Sequence, residues 1–153
     1  MNPYLNSHNQ DLMDYARKHK AKYKNANPFP SISLENFFNP EFLTEVLEEF
    51  PDLSKGNNIV YNDPLQKKLA GNGEELFGPR TKQLMHFLNS EPFLNFVNEI
   101  TGIEETLFGD PYFSGAGLHE TKRGGLLKVH ADFNKHPING LDRRVNLIVY
   151  LNK

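Results

Sequence analysis

The feature that most constrains this chain is a change in its residue pattern at Gly102. Before this glycine, four segments carry apolar residues at the three- and four-residue spacing that places them on one face of an α-helix. After it, glycines and prolines divide the chain into short apolar stretches, which is typical of strands and turns. Helices first and strands second predict an α+β protein in which helices support a sheet.

Helical spacing predicts four helices. We expect them over residues 10–22, from Pro40 to Pro51, over residues 81–89, and between Ser90 and Gly102. Asn39 is the expected N-cap of the second helix, since Pro40 suits a first helical position. Between these helices, alternation over residues 31–36 predicts a short strand. Frequent glycine and proline predict a loop-rich stretch over residues 52–78.

Residues 126–132 predict a strand that carries a pair of metal-ligating residue types. Side chains alternate across a strand, so His130 and Asp132 would point to the same face. The spacing lets an imidazole and a carboxylate reach one metal ion. The opposite face is expected to pack against apolar neighbours and carries Leu127, Val129 and Ala131.

Residues 142–151 predict a second strand with a mixed face. Asn146 and Tyr150 share that face and would add hydrogen-bonding groups to an apolar wall, as a small-ligand pocket needs. Taken singly, these patterns have plainer interpretations. A half-buried strand with a polar outer face is one, and a surface hydrogen bond between His130 and Asp132 is the other.

Together the motifs resemble the prolyl 4-hydroxylase-like branch of the Fe(II)- and 2-oxoglutarate-dependent dioxygenases. Residues 118–153, LHETKRGGLLKVHADFNKHPINGLDRRVNLIVYLNK, hold the specific features: a Gly124-Gly125 turn, the His-x-Asp strand, an arginine, and a strand that ends Tyr-Leu-Asn. Upstream, FFNPEFLTEVLEEFP and EPFLNFVNEITGI are also similar to this branch. The resemblance therefore covers most of the chain.

The resemblance implies a double-stranded β-helix, or jelly roll, backed by the N-terminal helices. His130 and Asp132 match the first histidine and the carboxylate of the metal triad, a ligand set that suits Fe(II). Tyr150 matches the tyrosine that hydrogen-bonds 2-oxoglutarate in members of the branch. Asn146 falls on the same face, where members often have a small polar residue, and it is also expected to bind 2-oxoglutarate. Ascorbate is a further implied cofactor. The implied reaction is oxidative decarboxylation of 2-oxoglutarate to succinate, coupled to hydroxylation of a C–H bond in a small-molecule or peptidyl substrate.

Four further residues have minor expected roles. Arg143 lies near a position that approaches substrate in some members of the branch. His119 and Glu120 are expected to line the mouth of the pocket. His136 is expected to be structural, because it precedes a proline in a polar loop.

The family pattern also requires a second histidine, and a lysine or arginine that pairs with 2-oxoglutarate, both after the tyrosine strand. In this sequence no histidine follows His136. Because the second histidine is not found after Tyr150, we expect residues 31–153 to form a dioxygenase domain that lacks its last strands. Residues 1–30 are expected to form a polar, helical segment. Such a fragment should bind Fe(II) weakly and should not turn over.

Composition narrows the remaining classes. Seventeen basic residues against nineteen acidic ones give no basic footprint for nucleic acid. No apolar run approaches the roughly 20 residues that span a bilayer. The absence of cysteine and of a signal-peptide pattern favours a cytoplasmic protein. Two other functions stay open: a non-catalytic jelly-roll binding module, and a metal-independent interaction domain in which His130 and Asp132 only hydrogen-bond.

Overall fold

The computed structural model describes residues 1–56 and 58–152. These residues form four α-helices and an antiparallel sheet, so the predicted α+β class is confirmed. The chain makes two compact units, each built from two segments. The helical unit comprises Met1–Glu49 and Gly78–Pro111, and the sheet unit comprises Phe50–Phe77 and Tyr112–Lys153. The expected domain of residues 31–153 stays a prediction.

The four predicted helices are all present, with ends displaced by a few residues. They are α1 (Leu12–Lys24), α2 (Pro40–Glu48), α3 (Pro79–Leu88) and α4 (Glu91–Thr101). Short 3-10 helices span Ser7–Asn9 in the helical unit and Glu74–Leu76 in the sheet unit. None of the described helices is long and apolar enough to cross a membrane.

The helix ends follow from their capping residues. Asn39 caps α2, because its side-chain oxygen accepts a hydrogen bond from the Glu41 amide at 2.9 Å. Gly102 ends α4 in the left-handed region at φ 72°, where a glycine has no Cβ to clash. Ser90 occupies the N-cap position of α4, but its hydroxyl donates to the Phe87 carbonyl instead.

Aromatic side chains fill the core of the helical unit. Phe37 stacks on Phe96 with ring centroids 5.3 Å apart, and Phe96 lies 5.4 Å from Phe93. All three rings are at least 96% buried. Aromatic pairs in these geometries add stability beyond the area they bury. This ring cluster ties α4 to the segment that precedes α2.

Glu49 supplies the cap that α3 lacks. The N-cap position of α3 is Gly78, which has no side chain to offer. The Glu49 carboxylate accepts from the amides of Arg80, at 3.1 Å, and Thr81. Partial burial raises the pKa of Glu49, but these hydrogen bonds outweigh it and the net pKa lies below the usual 4.5. The folded state therefore favours the ionised form of Glu49.

The described part of the sheet unit contains four antiparallel strands. They are β1 (Ile59–Asn62), β2 (Gln66–Asn72), β3 (Gly117–Glu120) and β4 (Leu126–Leu127). Strand β2 is central: β1 pairs with it along one edge, and β3 and β4 pair with it in succession along the other. The β1–β2 turn is closed by Asp63, whose Oδ1 accepts from the amides of Leu65 and Gln66.

Two predictions in the first half of the chain are wrong. The loop-rich stretch contains a β-hairpin over residues 59–72, because the Asp63 turn lets two short strands pair despite the nearby glycines and proline. Residues 31–36 form no strand. Backbone pairing in this region occurs only after them, in an isolated bridge between Leu5 and Phe38.

The two strands predicted near the site are also wrong. Only Leu126–Leu127 of residues 126–132 is a strand, and Val129 is fully exposed instead of packed. The reason is the partner, since β4 pairs with the first residues of β2 and the last bond, from Lys128 to the Leu65 carbonyl, leaves nothing further to pair with. Residues 142–151 contribute only an isolated bridge at Asp142.

Candidate metal centre

A closed loop after β4 brings the predicted site residues together. Lys135 and Asp142 form an antiparallel bridge and an ion pair of 2.9 Å. The Arg143 amide donates to the Asn134 carbonyl at 2.8 Å. Gly140, at φ 70°, permits the tight reversal between these strand-like ends. The chain thus returns Arg143 to the neighbourhood of Asp132.

Main-chain hydrogen bonding fixes the ring of His130. Its Nδ1 lies 2.7 Å from the Lys128 carbonyl oxygen. A carbonyl can only accept, so Nδ1 carries the proton and donates it. In the neutral ring, Nε2 then holds the lone pair. Histidines that bind metals through one nitrogen usually donate the other N–H to a carbonyl or carboxylate in this way.

Asp132 presents its two oxygens to different neighbours. Oδ1 lies 3.7 Å from His130 Nε2, and Oδ2 lies 3.3 Å from Arg143 Nη2. The 3.7 Å separation is too long for a hydrogen bond between His130 and Asp132. A lone pair and an anionic oxygen therefore face each other across a short gap.

The gap between these donors is narrow enough for one divalent ion to bridge. A metal bonded at about 2.0–2.2 Å to an imidazole nitrogen and a carboxylate oxygen can join donors up to about 4 Å apart. The observed 3.7 Å falls within that limit. A cation in the gap would also stabilise the facing electron-rich atoms. His130 and Asp132 thus fit two positions of a metal site, although they reach it from a loop and not from a regular strand.

The described residues contain no group of three histidine, aspartate or glutamate side chains that could hold a metal ion. The charge of Asp132 acts on the ring of His119, which lies on β3. Desolvation of the ring and the charge of Lys68 lower the pKa of His119, while the negative charge of Asp132 opposes that shift. His119 therefore interacts electrostatically with Asp132 but is not a third member of a metal-binding cluster.

The two residues expected to bind 2-oxoglutarate differ in their placement. Asn146 joins the pair indirectly, because its Oδ1 accepts from Arg143 Nη2 at 2.9 Å. Tyr150 is 74% exposed, and the strand that was to align it with Asn146 is not formed. The Nδ1 of His136 accepts from the amides of Ile138 and Asn139, each at 3.2 Å, and its structural role stays a prediction.

Sequence reasoning undervalued Arg143. Its guanidinium contacts Asp132 and Asn146, and it lies 4.7 Å from the centroid of the Phe133 ring. Its side chain is 22% exposed, against 45% for Asp132. The only sequence signal was an arginine three residues before the predicted Asn146. Nothing in the spacing alone shows that a loop returns this arginine to Asp132.

The helical unit holds a separate open cleft of about 1160 Å³. It runs along α1 and α4, and its lining includes Lys20, Glu91 and Glu99. Lys20 and Glu99 form an ion pair of 3.2 Å there. None of the predicted site residues lines this cleft, so it does not contribute to the metal centre.

Comparison with known proteins adds no relative to this picture. No protein-family model, curated protein or solved structure matches the chain. Function is therefore argued from the geometry of the His130–Asp132 pair and from the motifs that surround it.

Proposed function

We propose that this chain belongs to an Fe(II)- and 2-oxoglutarate-dependent hydroxylase of the prolyl 4-hydroxylase-like kind, with His130 and Asp132 as two of its three metal ligands. The observation that carries the proposal is the 3.7 Å gap between Nε2 of His130 and Oδ1 of Asp132. The Lys128 carbonyl leaves the Nε2 lone pair directed to a ligand. Two histidines and one carboxylate form the ligand set of this iron class.

The proposal needs a second histidine and a basic residue for 2-oxoglutarate, which the resemblance puts after Tyr150. With only two ligands, a metal is held weakly, so the 153-residue chain is expected to bind Fe(II) with low affinity and to form no succinate.

The double-stranded β-helix is likewise part of the proposal. The antiparallel pairing of β2 with β3 and β4 is the kind of pairing that a jelly roll uses. Apolar side chains of the following segment, including Val129 and Ile148, are exposed. A second sheet packed on this segment would remove them from water, as the two sheets of a sandwich do.

Bound iron and 2-oxoglutarate would supply the oxidising chemistry. The chain's own groups bind and orient. His130 offers an imidazole nitrogen whose ring is held by the main chain, and Asp132 offers a carboxylate whose charge would offset that of the ion. Asn146 and Tyr150 are proposed to hydrogen-bond the co-substrate. The substrate would be a small molecule or a peptidyl residue.

A non-catalytic binding module is the second candidate function. It is favoured by the exposed apolar side chains of the segment that contains the pair, such as Phe133, Ile138 and Leu141. Exposed apolar patches of this kind mark interaction surfaces. This candidate does not need a metal, and metal binding therefore distinguishes the two functions.

Paramagnetic broadening of amide NMR signals by Fe(II), titrated without oxygen, tests the proposal even if binding is weak. We expect broadening centred on residues 128–133 that is lost in His130→Ala and in Asp132→Asn. Asp142→Asn is the matched control, because Asp142 is an exposed carboxylate paired with a cation in the same segment. Broadening that is absent, or that survives both site variants, would overturn the metal proposal. Clear succinate formation by the 153-residue chain would contradict the need for a second histidine and a basic residue.

A further inference from the structure

We infer that Arg143 is a positioning residue for the metal pair: it holds Oδ2 of Asp132 and thereby keeps Oδ1 turned towards Nε2 of His130. This inference rests on the proposed function, because it assigns a role within the same site. It goes beyond that function by naming the group that orders the carboxylate ligand.

Each carboxylate oxygen of Asp132 lies close to a different neighbour. Arg143 Nη2 lies 3.3 Å from Oδ2, and the imidazole lies 3.7 Å from Oδ1. A carboxylate that binds a metal through one oxygen leaves the other for a hydrogen-bond donor outside the ligand shell. The two neighbours of Asp132 are divided between its oxygens in this way.

Several contacts hold Arg143 in place. Its Nη2 also donates to Oδ1 of Asn146 at 2.9 Å, and its guanidinium lies 4.7 Å from the centroid of the Phe133 ring. Its backbone amide is fixed by the Asn134 carbonyl. A planar guanidinium held by an amide, an aromatic ring and the main chain loses little further freedom when it contacts a carboxylate.

Asp132 is exposed enough to need a partner that fixes its orientation. Its side chain is 45% exposed, so without a partner the carboxylate would rotate among several orientations. Groups that hydrogen-bond a metal ligand without binding the metal themselves fix such orientations, and removing them typically costs about 10–100-fold in metal affinity. Arg143 is therefore expected to strengthen metal binding although it carries a positive charge.

The opposite role, in which Arg143 competes with the metal for Asp132, makes the contrary prediction. A competitor would occupy the oxygen that faces the imidazole. In the structure that oxygen is Oδ1, and the arginine contacts Oδ2. The position of the guanidinium thus favours positioning over competition, and metal affinity decides between them.

The test measures Mn(II) affinity from the paramagnetic resonance signal of the free ion, in the 153-residue chain and in four variants. We expect Arg143→Gln to weaken binding about 10-fold or more. The affinity of Arg143→Lys should lie between those of the parent chain and Arg143→Gln, since lysine keeps the charge but loses the planar fork. Arg144→Gln, which removes the same charge one residue away, should stay close to the parent chain. His130→Ala should abolish specific binding.

The outcomes separate the two claims. Tighter binding by Arg143→Gln would show competition and overturn the inference. Unchanged affinity in Arg143→Gln, with binding abolished in His130→Ala, would overturn the inference and leave the metal pair standing. Affinity that is unaffected by either substitution would overturn the proposed function itself.

A readout without metal guards against simple unfolding of the variant. In the metal-free protein, Arg143→Gln should shift the carboxyl carbon resonance of Asp132. The nitrogen resonances of His130 should still report a proton on Nδ1, because the Lys128 carbonyl is unchanged. A change of amide signals throughout the chain would instead show that Arg143 acts as a general structural residue, and would contradict the assigned role.

Discussion

The helical unit and the sheet unit treat their apolar side chains in opposite ways. Of the described core residues, eleven of sixteen lie in the helical unit, whereas thirteen of seventeen large exposed apolar residues lie in the sheet unit. Their charges differ too, with seven basic and twelve acidic residues in the first and ten basic and seven acidic in the second. The helical unit thus buries its apolar surface internally, while the sheet unit presents much of its own to the outside.

The difference follows from how each element satisfies its backbone. A helix pairs its N–H and C=O groups within one segment, and needs neighbours only to cover its apolar face. A strand needs the backbone of a second strand. Where β2 begins, the pairing available to β4 ends, and the following apolar residues have no sheet to join.

The largest expected loss of stability comes from a core substitution in the helical unit. Phe96→Ala should lower the free energy of unfolding by about 3–5 kcal/mol, because it empties a site that is 2% exposed and stacked on Phe37. Val129→Ala, at a fully exposed position in the sheet unit, is the control and should change stability little. Urea unfolding followed by circular dichroism measures both. Equal effects would contradict the contrast between the units.

A second substitution tests the ordered part of the sheet unit. A Cβ at Gly117 would lie 2.6 Å from the carbonyl oxygen of Gly71 on the paired strand, and backbone cannot easily move away. Gly117→Ala should therefore cost about 1–3 kcal/mol. Val60→Ala, on the exposed strand β1, should cost less. Thermal unfolding measures the two, and an unaffected Gly117→Ala would show that β2 and β3 are not tightly paired.

A smaller effect concerns the start of α3. Glu49→Gln should cost about 1 kcal/mol near neutral pH, the usual value of a lost N-terminal cap. The pKa of Glu49 is lower in the folded state than the usual 4.5, so this stabilisation is present above pH 4.5 and is lost as the pH falls through the lowered pKa. Unfolding curves across that range should converge for parent and variant. Glu48→Gln, at the exposed neighbour, should show no such convergence.

The smallest effect is expected at the Lys135–Asp142 ion pair. Both side chains are about two-thirds exposed, at 68% and 67%, so solvent screens their interaction. Asp142→Asn should leave the unfolding midpoint unchanged, in low and in high salt. A clear loss of stability would mean that this pair, and not the main chain, closes the loop, and would remove Asp142→Asn as a control.

The sequence predicts the helices well because their signals are local. Asn39 and Pro40 mark the start of α2, and Gly102 marks the end of α4, without reference to any distant residue. The sequence does not predict the hairpin over residues 59–72, because its pairing is visible only once two strands meet. The strands over 126–132 and 142–151 were overpredicted for the converse reason, since alternation describes a residue's fitness for a sheet and not the presence of a partner.

The candidate site shows the same division. The closeness of His130 and Asp132 follows from their spacing, and the structure reaches it through a loop. The contact of Arg143 with Asp132 joins residues eleven positions apart, and it depends on the bridge between Lys135 and Asp142. No periodic pattern carries such information. Their roles as ligands and positioning residue stay predictions for the metal experiments.

The hydrogen bond from His130 to the Lys128 carbonyl has a consequence for mutation. Its acceptor belongs to the main chain, and every amino acid carries that oxygen. Position 128 is therefore free to vary in side chain without changing which ring nitrogen holds the proton. A device of this kind is robust to substitution and leaves no mark in the amino-acid letters, so only a three-dimensional structure reveals it.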